Sequence, residues 1–314
     1  MVRIHTEALV ALRNLNRNRT RAAFAVITIA SGLVAYLLAG GFIEWIFHGM
    51  REGAIRSQLG HIQIVGFCYL EKGIADPYRF LLPANSLEQK VISENPTVVS
   101  LTERLAFSGL ISHGDSTASF IGEGVIPEKE RLVSDQIQIR SGTNLVEIGE
   151  RNVILGEGLA KNLGVKVGDV IVLFATTAEG SPSAIEVTIA GTFFTASKEF
   201  DDNALRLPLE QARKLMRVTG ATSWVMLLNA TNNTERVAAD IKNKLPEDLF
   251  QVVPWFEMAD FYNKTVNLFS KQVEFIKLII GLIIILTIPN TQTMNVLERT
   301  TEVGTMLAMG TRAE

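Results

Sequence analysis

AAFAVITIASGLVAYLLAGGFI, residues 22–43, contains no charged side chain. At 1.5 Å of rise per residue, a helix over this run covers about 30 Å, the depth of a bilayer's hydrocarbon. The run predicts a transmembrane helix, which we bound at residues 22–45. A cleaved signal peptide would have a shorter apolar centre and a small-residue cleavage site, for which Ala39, Gly40 and Gly41 are a weak candidate. The span is expected to be retained.

The flanks give this span a direction. Arg3, Arg13, Arg17, Arg19 and Arg21 precede it with only Glu7 opposing, so the excess of positive charge places residues 1–21 in the cytoplasm. Arg13, Arg17, Arg19 and Arg21 are the membrane-orienting residues. In ALVALRNLNRNRTR, Leu9, Leu12 and Leu15 fall on neighbouring turns among arginines. That pattern fits a helix lying along the inner membrane surface, or a basic flank that only orients the span.

A second charge-free stretch runs from Leu278 to Leu297, with Glu274 and Lys277 just before it. Lys277 can snorkel to the headgroups and anchor the outer end. We expect a second transmembrane helix at residues 271–290, although LIIGLIIIL alone would also suit a buried helix of a soluble core. Pro289 is expected to kink this helix or end it early. Residues 46–270 then lie outside the membrane, and residues 291–314 return to the cytoplasm.

Whole-chain composition agrees with partial embedding: 47% hydrophobic residues, 20% charged, mean hydropathy +0.22. A net charge of -3 and a pI near 5.9 give no basic footprint of the kind that displaces counterions from nucleic acid. The one cysteine, Cys68, excludes an internal disulfide and a thiolate metal cage, and reads as a half-buried residue.

Residues 46–270 carry 27 acidic and 21 basic side chains, as a solvated acidic domain would. HIQIVGFCY, TVVSLTERLAFSGLISH, STASFIGEG, NVIL, DVIVLFATT, AIEVTIAGTFFT and TSWVMLLN are β-branched and aromatic runs bounded by turn residues, which predicts strands. HGD at 113–115 and AEGSPS at 178–183 supply hairpin connections. SLEQKVISEN, EGLAKNLG, PLEQARKLMRV and NTERVAADIKNKL have helical spacing. The expected fold is a membrane protein in which two transmembrane helices flank a large α+β extracytoplasmic domain. Strand clusters on either side of residue 145 predict two subdomains.

No catalytic address is visible. His5, His48, His61 and His113 lack zinc-ligand spacing, and no HExxH or GxSxG occurs. GEG at 156–158 lacks the third glycine of a nucleotide loop, since position 161 is a lysine, and no Walker lysine motif is present. It reads as a strand end entering a short helix, with Gly164 and Gly168 of LGVKVGD supplying positive φ. KEFDD offers Glu199, Asp201 and Asp202 for a divalent cation and reads more simply as a solvated turn. We therefore expect no catalytic, cofactor-binding or metal residues, and work driven by a partner.

After the second span the chain ends in NVLERTTEVGTMLAMGTRAE, residues 295–314. On a helix from Val296, the residues Val296, Thr300, Val303 and Leu307 form one stripe, with Glu298, Thr301, Glu302 and Thr305 opposite. Glu298 and Glu302 are a like-charge i,i+4 pair, unfavourable by roughly a few tenths of a kcal/mol in an isolated helix. Such a pair fits a cationic partner, or a plain solvated face on the inner membrane surface.

VLERTTEVGTMLAMGTR closely resembles the segment after the second membrane helix of FtsX-like permeases. There a glutamate-arginine pair, a second glutamate, an aliphatic residue, a glycine and an alanine-x-glycine ending recur. ALRNLNRNRTRAAFAVITIASG is similar to the entry into that family's first span. ERNVILGEGLAKNLGVKVGDVIVL and IAGTFFTASKEFDDNALRLPLEQARKLM resemble the outer domain shared by its macrolide-exporter and lipoprotein-releasing branches.

The resemblance implies a permease subunit of a mechanotransmission-type ABC transporter in a bacterial inner membrane, closest to the lipoprotein-releasing branch. It further implies a separate ATPase that binds ATP and Mg, and a homo- or heterodimeric permease partner. A periplasmic lipoprotein carrier or adaptor would meet the outer domain. Glu298, Arg299, Glu302, Gly304 and Gly310 occupy the family's ATPase-coupling positions. Family members have four spans, so two more are expected, either beyond Glu314 or in a separate chain, and residues 305–309 are less basic than is common there. Export of macrolides or peptides through an outer-membrane partner is the alternative within this machinery. A two-span receptor, or a scaffold activating cell-wall hydrolases, is the alternative outside it.

Overall fold

The computed structural model describes residues 19–73, 76–145, 151–195, 197–298 and 300–310. The chain divides into two compact units, Met1–His48 with Lys264–Glu314, and Gly49–Asn263.

In chain order the helices are α1 (Arg19–Ala54), α2 (Tyr69–Lys72), α3 (Leu87–Ser93), α4 (Pro127–Val133), α5 (Glu157–Leu163), α6 (Lys198–Asp201), α7 (Leu209–Met216), α8 (Thr234–Lys242), α9 (Trp255–Met258), α10 (Asp260–Glu298) and α11 (Thr300–Ala308). The strands are β1 (Ile62–Gly66), β2 (Val98–His113), β3 (Ser116–Val125), β4 (Gln138–Gly142), β5 (Asn152–Gly156), β6 (Val170–Thr176), β7 (Pro182–Phe194), β8 (Ala204–Pro208), β9 (Ser223–Leu228) and β10 (Phe250–Pro254).

The first unit rests on α1 and α10, helices of 36 and 39 residues. At 1.5 Å per residue they are about 54 and 58 Å long. The Lys277 ammonium sits 5.7 Å from the centre of the Tyr36 ring, a cation–π contact between them. Leu37, Leu38, Phe42, Phe275, Ile276 and Leu278 are exposed, as side chains facing lipid would be. Among the described residues one stretch, Ala30–Leu59, is long and apolar enough to cross a membrane by length and composition. The early end expected at Pro289 does not occur, because α10 continues to Glu298. Proline removes one hydrogen bond, and the long runs of turns on both sides remain intact.

The second unit is built on one ten-stranded sheet in the order β10-β1-β9-β2-β3-β8-β5-β7-β4, with β6 pairing to both β2 and β7. That double pairing closes a ring, β2-β3-β8-β5-β7-β6 and back to β2. Within it β3–β8 and β5–β7 are parallel and the other pairs antiparallel. Side chains alternate across a strand, so one face of each ring strand points inward. Leu105, Phe107, Ile111, Phe120, Leu155, Leu173, Val187 and Leu205 fill that core, with α5 and α7 packed on it. A second core joins Ile62, Ile64, Leu101, Trp224, Met226, Val237, Ile241 and Phe250.

These are the two largest cores among the described residues, and no subdomain boundary falls at residue 145, because strands from both sides of it share the one sheet. The ring core draws on residues 105 to 216, and the second core on residues before and after that stretch. One is nested inside the other because β2 is 16 residues long. Its first part pairs with β9 and its last part with β6, so a single strand serves both cores.

Local chemistry sets the connections. His113 pairs with Ser116 across a two-residue turn in which Gly114 takes φ 57°, a region open to glycine at little cost. Pro127 opens α4, where its missing N–H leaves no vacant bond.

Candidate functional site

Immediately after α1 the backbone widens into a π-helical turn, Ile55–Leu59, before β1 begins. A helix end leaves carbonyls without intrahelical partners, and a buried end needs substitutes. Every carbonyl of this turn has one. The Gly60 amide donates to Ile55 O, and the Gln136 amide to Arg56 O. Arg206 Nη2 donates to Ser57 O at 3.1 Å, and Ser134 Oγ lies 3.3 Å from the same oxygen. Arg104 Nη1 donates to Gln58 O, and Gln63 Nε2 to Leu59 O at 2.9 Å.

The two arginines come from β2 and β8, and only 3% of Arg104 and 2% of Arg206 is exposed. Burying a guanidinium is costly unless it is paired and fully hydrogen-bonded. Glu130 of α4 takes Arg104 Nη2 at 2.5 Å and Nε at 3.2 Å. Glu123 of β3 takes Arg206 Nη2 at 2.6 Å and Nε at 2.7 Å. Arg206 Nη1 also reaches Glu130 at 3.3 Å and Ser134 Oγ at 3.0 Å. Two cations and two anions therefore close a neutral network around the negative end of the α1 dipole.

Burial alone would raise the Glu130 carboxyl, but Arg104 and then Arg206 outweigh it and hold it below the usual carboxylate range. Burial alone would lower Arg104, and Glu130 with Glu123 reverses this and raises it. The adjoining cleft, lined by Val125, Pro127, Leu145 and Arg206 among others, offers about 20 Å³, room for little more than one water. The arrangement can grip a helix end; it cannot hold a cargo molecule.

A second tie reaches the last turn of α1. His61 Nδ1 accepts from the Leu228 amide at 3.1 Å, so its proton lies on Nε2, which donates to Thr231 Oγ1 at 3.1 Å. Thr231 Oγ1 donates in turn to Glu52 Oε1 at 2.9 Å. Burial pushes the imidazole down to about 4, against the pull of Glu52.

Several sequence motifs resolve into packing. A Cβ on Gly156 would fall 2.1 Å from Asp201 O, and one on Gly158 would fall 1.9 Å from Asp202 Oδ1. These glycines allow α5 to sit on the KEFDD turn, and no phosphate is needed to explain them. Asp201 accepts from the Thr195 amide at 2.9 Å, and Asp202 pairs with Lys198 at 2.7 Å, so two of the three carboxylates suggested for a cation are engaged. Among the described residues no group of three or more His, Cys, Asp or Glu could hold a metal.

Of the membrane-orienting residues, Arg19 opens α1 and Arg21 lies in its first turn, while Arg13 and Arg17 fall outside the described residues. Of the coupling residues, Glu298 ends α10, and Glu302 and Gly304 lie in α11. Arg299, between them, falls outside the described residues. Gly310 follows α11 with φ 89°. Sequence reasoning missed Arg104, Glu123, Glu130 and Arg206. For Arg104, Glu123 and Arg206 the signal was charge inside a strand, as in TERLAF and ALRLP, where a buried strand face has no water to offer; Glu130 lies in α4 and carried no such signal.

Residues 22–244 match the MacB-like periplasmic core domain. The chain belongs to that family. Within the MacB-like group it is 30% identical over 172 residues to the lipoprotein-releasing system transmembrane protein LolC of Xylella fastidiosa, covering 52% of this chain and 40% of that protein. LolC of Neisseria meningitidis serogroup B is 22% identical over 319 residues, covering 97% of this chain and 74% of that protein. The chain thus spans less than half the length of the Xylella relative. Among solved structures, the periplasmic region of MacB from Actinobacillus actinomycetemcomitans aligns with a TM-score of 0.47 at 13% identity, over 69% of this chain and 95% of that one. The resemblance to FtsX-like, macrolide-exporter-type permeases read from the sequence holds.

Proposed function

We propose that this chain is a permease subunit of an ABC transporter that acts on lipoproteins at the outer leaflet of a bacterial inner membrane. The observation that carries the reading is the alignment with LolC along 97% of the chain, in a family defined by its periplasmic core domain. In this reading α1 crosses the membrane outward and α10 inward, with residues 22–45 and 271–290 as the spans. Residues 46–270 form the extracytoplasmic domain, and residues 1–21 and 291–314 lie in the cytoplasm.

ATP and Mg would be bound by a separate ATPase, and this chain would supply no catalytic group. The segment after α10 would dock on that ATPase. Its apolar Val296, Leu297, Met306 and Met309 are exposed, which supports a docking face. Glu298, Arg299 and Glu302 would meet basic and acidic groups there, and Gly304 and Gly310 would allow close approach and helix termination. Closure of two ATPases would draw the helices of two permease subunits together and move the outer domains, which would pass cargo to a periplasmic carrier.

Co-expression with an ABC-type ATPase from the same genome tests the reading. The complex should purify intact and release a triacylated lipoprotein from liposomes only with ATP. Recovery of the chain without an ATPase, or a complex that exports a macrolide and leaves lipoprotein in place, would overturn it.

A further inference from the structure

Side chains alternate along the ring strands, so the residues next to the buried Ile111, Phe120, Leu173 and Val187 point outward. On the neighbouring strands β3, β2, β6 and β7 these outward residues are every second position of 117–121, 108–112, 170–174 and 184–188. Glu186 is the one charged residue among them, and the rest are aliphatic, aromatic or hydroxyl side chains. Leu110 lies directly opposite Phe174, Phe174 opposite Ala184, and Ile121 opposite Ser108 one pair further along. Leu110 is 50% exposed, Phe174 46% and Ile121 55%, so the patch stands at the surface.

A solvated antiparallel face carries polar residues outward. An apolar patch depleted of charge is instead what the buried centre of an interface carries. Charge and area constrain what can cover it. Residues 46–270 hold 27 acidic and 21 basic side chains, so two copies repel over most of their surface and can approach across a face with little charge of its own. This face meets that condition, and a row such as Leu110–Phe174 can pack on its own twofold image. Four strands about 4.8 Å apart and five residues of about 3.4 Å each give a patch of roughly 19 by 17 Å, near 320 Å². A stable free complex needs about 800 Å² from each partner. The contact therefore forms where something else already holds two copies together.

We infer that this face, centred on Leu110 and Phe174, is where the outer domains of two copies of the chain meet. The inference rests on the proposed function for what holds the copies together, a shared membrane and a pair of ATPases. Closure of the helices brings the two faces into contact and takes them out of water; separation returns them to it.

The test uses the full chain in proteoliposomes, with Cys68→Ser and one new cysteine. Ser119→Cys lies beside Leu110 on the face, and Glu235→Cys, exposed on α8, is the control. Under copper-phenanthroline oxidation Ser119→Cys should give a covalent dimer at least tenfold faster than Glu235→Cys. Added to Ser119→Cys, Leu110→Glu and Leu110→Lys should each slow the reaction at least fivefold. Chains carrying the two opposite charges, differently tagged and mixed, should regain it between unlike copies. Equal rates at the two cysteines, or no recovery in the mixture, overturns the contact. In native membranes the same dimer should form, and a product with any other chain overturns the second copy as the occupant.

Should the charged variants not fold, Leu110→Ser must slow dimer formation at least twofold. Cross-linking is read with and without the ATPase. A covalent dimer from a chain that binds no ATPase defeats the proposed function and leaves the contact standing, while ATPase binding without the dimer defeats the contact alone.

Discussion

Arg206 Nη2 and the carbonyl oxygen of Ser57 meet at 3.1 Å although 149 positions separate them in the chain. The contact ties a strand late in the sequence to the end of the first long helix. Its stability follows from the pairing around it. Arg206→Ala leaves Glu123 with only Arg104 Nη1, 3.8 Å away, and takes one of two cations from the buried Glu130. Removing one member of a buried pair costs about 3–5 kcal/mol. Urea unfolding of the intact chain in detergent should show a loss of that size for Arg206→Ala, and a smaller one for Arg206→Met with Glu123→Leu, where no lone charge remains. Equal losses for the two would mean that the network acts through packing alone.

His61 makes stability depend on pH in a window set by its own shift. The folded imidazole titrates near 4 and an unfolded one near 6.5. Between these values the unfolded chain binds more protons, so stability is complete above about 6.5 and declines as pH falls toward 4. Protonation on Nδ1 would set an N–H against the Leu228 amide that it now accepts. In His61→Asn a side-chain carbonyl can accept that amide without titrating. Its melting temperature should vary less than the parent's between pH 6.5 and 4; identical slopes would assign the acid sensitivity to other groups.

Gly156 is required by space and not by its φ. A methyl there would fall 2.1 Å from the backbone oxygen of Asp201, which cannot rotate aside as a side chain could. Gly156→Ala should therefore cost about 1–3 kcal/mol, as overpacking does. Gly164→Ala, at φ 69° with nothing within 4 Å of the new methyl, tests backbone conformation alone. Denaturation midpoints of the two variants should both fall. An unchanged midpoint for Gly156→Ala would show that α5 shifts freely on the 198–202 turn.

Much of the fold was legible because its elements have strong local signals. The long β-branched runs at residues 97–113 and 184–195 became β2 and β7, and HGD became the turn between β2 and β3. β4, β8 and β10 were not read. QIRSG is nearly all exposed and lacks an apolar face, while FQVVP and ALRLP are five residues each with a proline at the end. The nesting of one core within the other was equally hidden, since pairing of β6 with β2 depends on residues some 60 positions apart. The buried ion network needed the same long-range pairing: Glu123 beside Arg206 follows from the parallel register of β3 and β8, which no local pattern specifies. The coupling residues, by contrast, came from a motif and not from packing.

That motif yields the last prediction. Glu298 and Glu302 lie four positions apart, with helix described up to Glu298 and again from Thr300 to Ala308. If the proposed docking holds, reversing both charges turns attraction to a basic groove into repulsion, and like charges set against each other cost several kcal/mol in an interface. A loss of about 4 kcal/mol lowers affinity roughly a thousandfold. Glu298→Lys with Glu302→Lys should therefore abolish co-purification of the ATPase. Membrane insertion, measured by carbonate extraction, should not change, because both positions lie beyond the charge-free stretch that ends at Leu297. Lysine is also favourable in a segment on the inner membrane surface, so the variant carries no added insertion penalty. Unchanged recovery of the ATPase would leave this segment as a solvated face and would move the proposed docking site elsewhere in the chain.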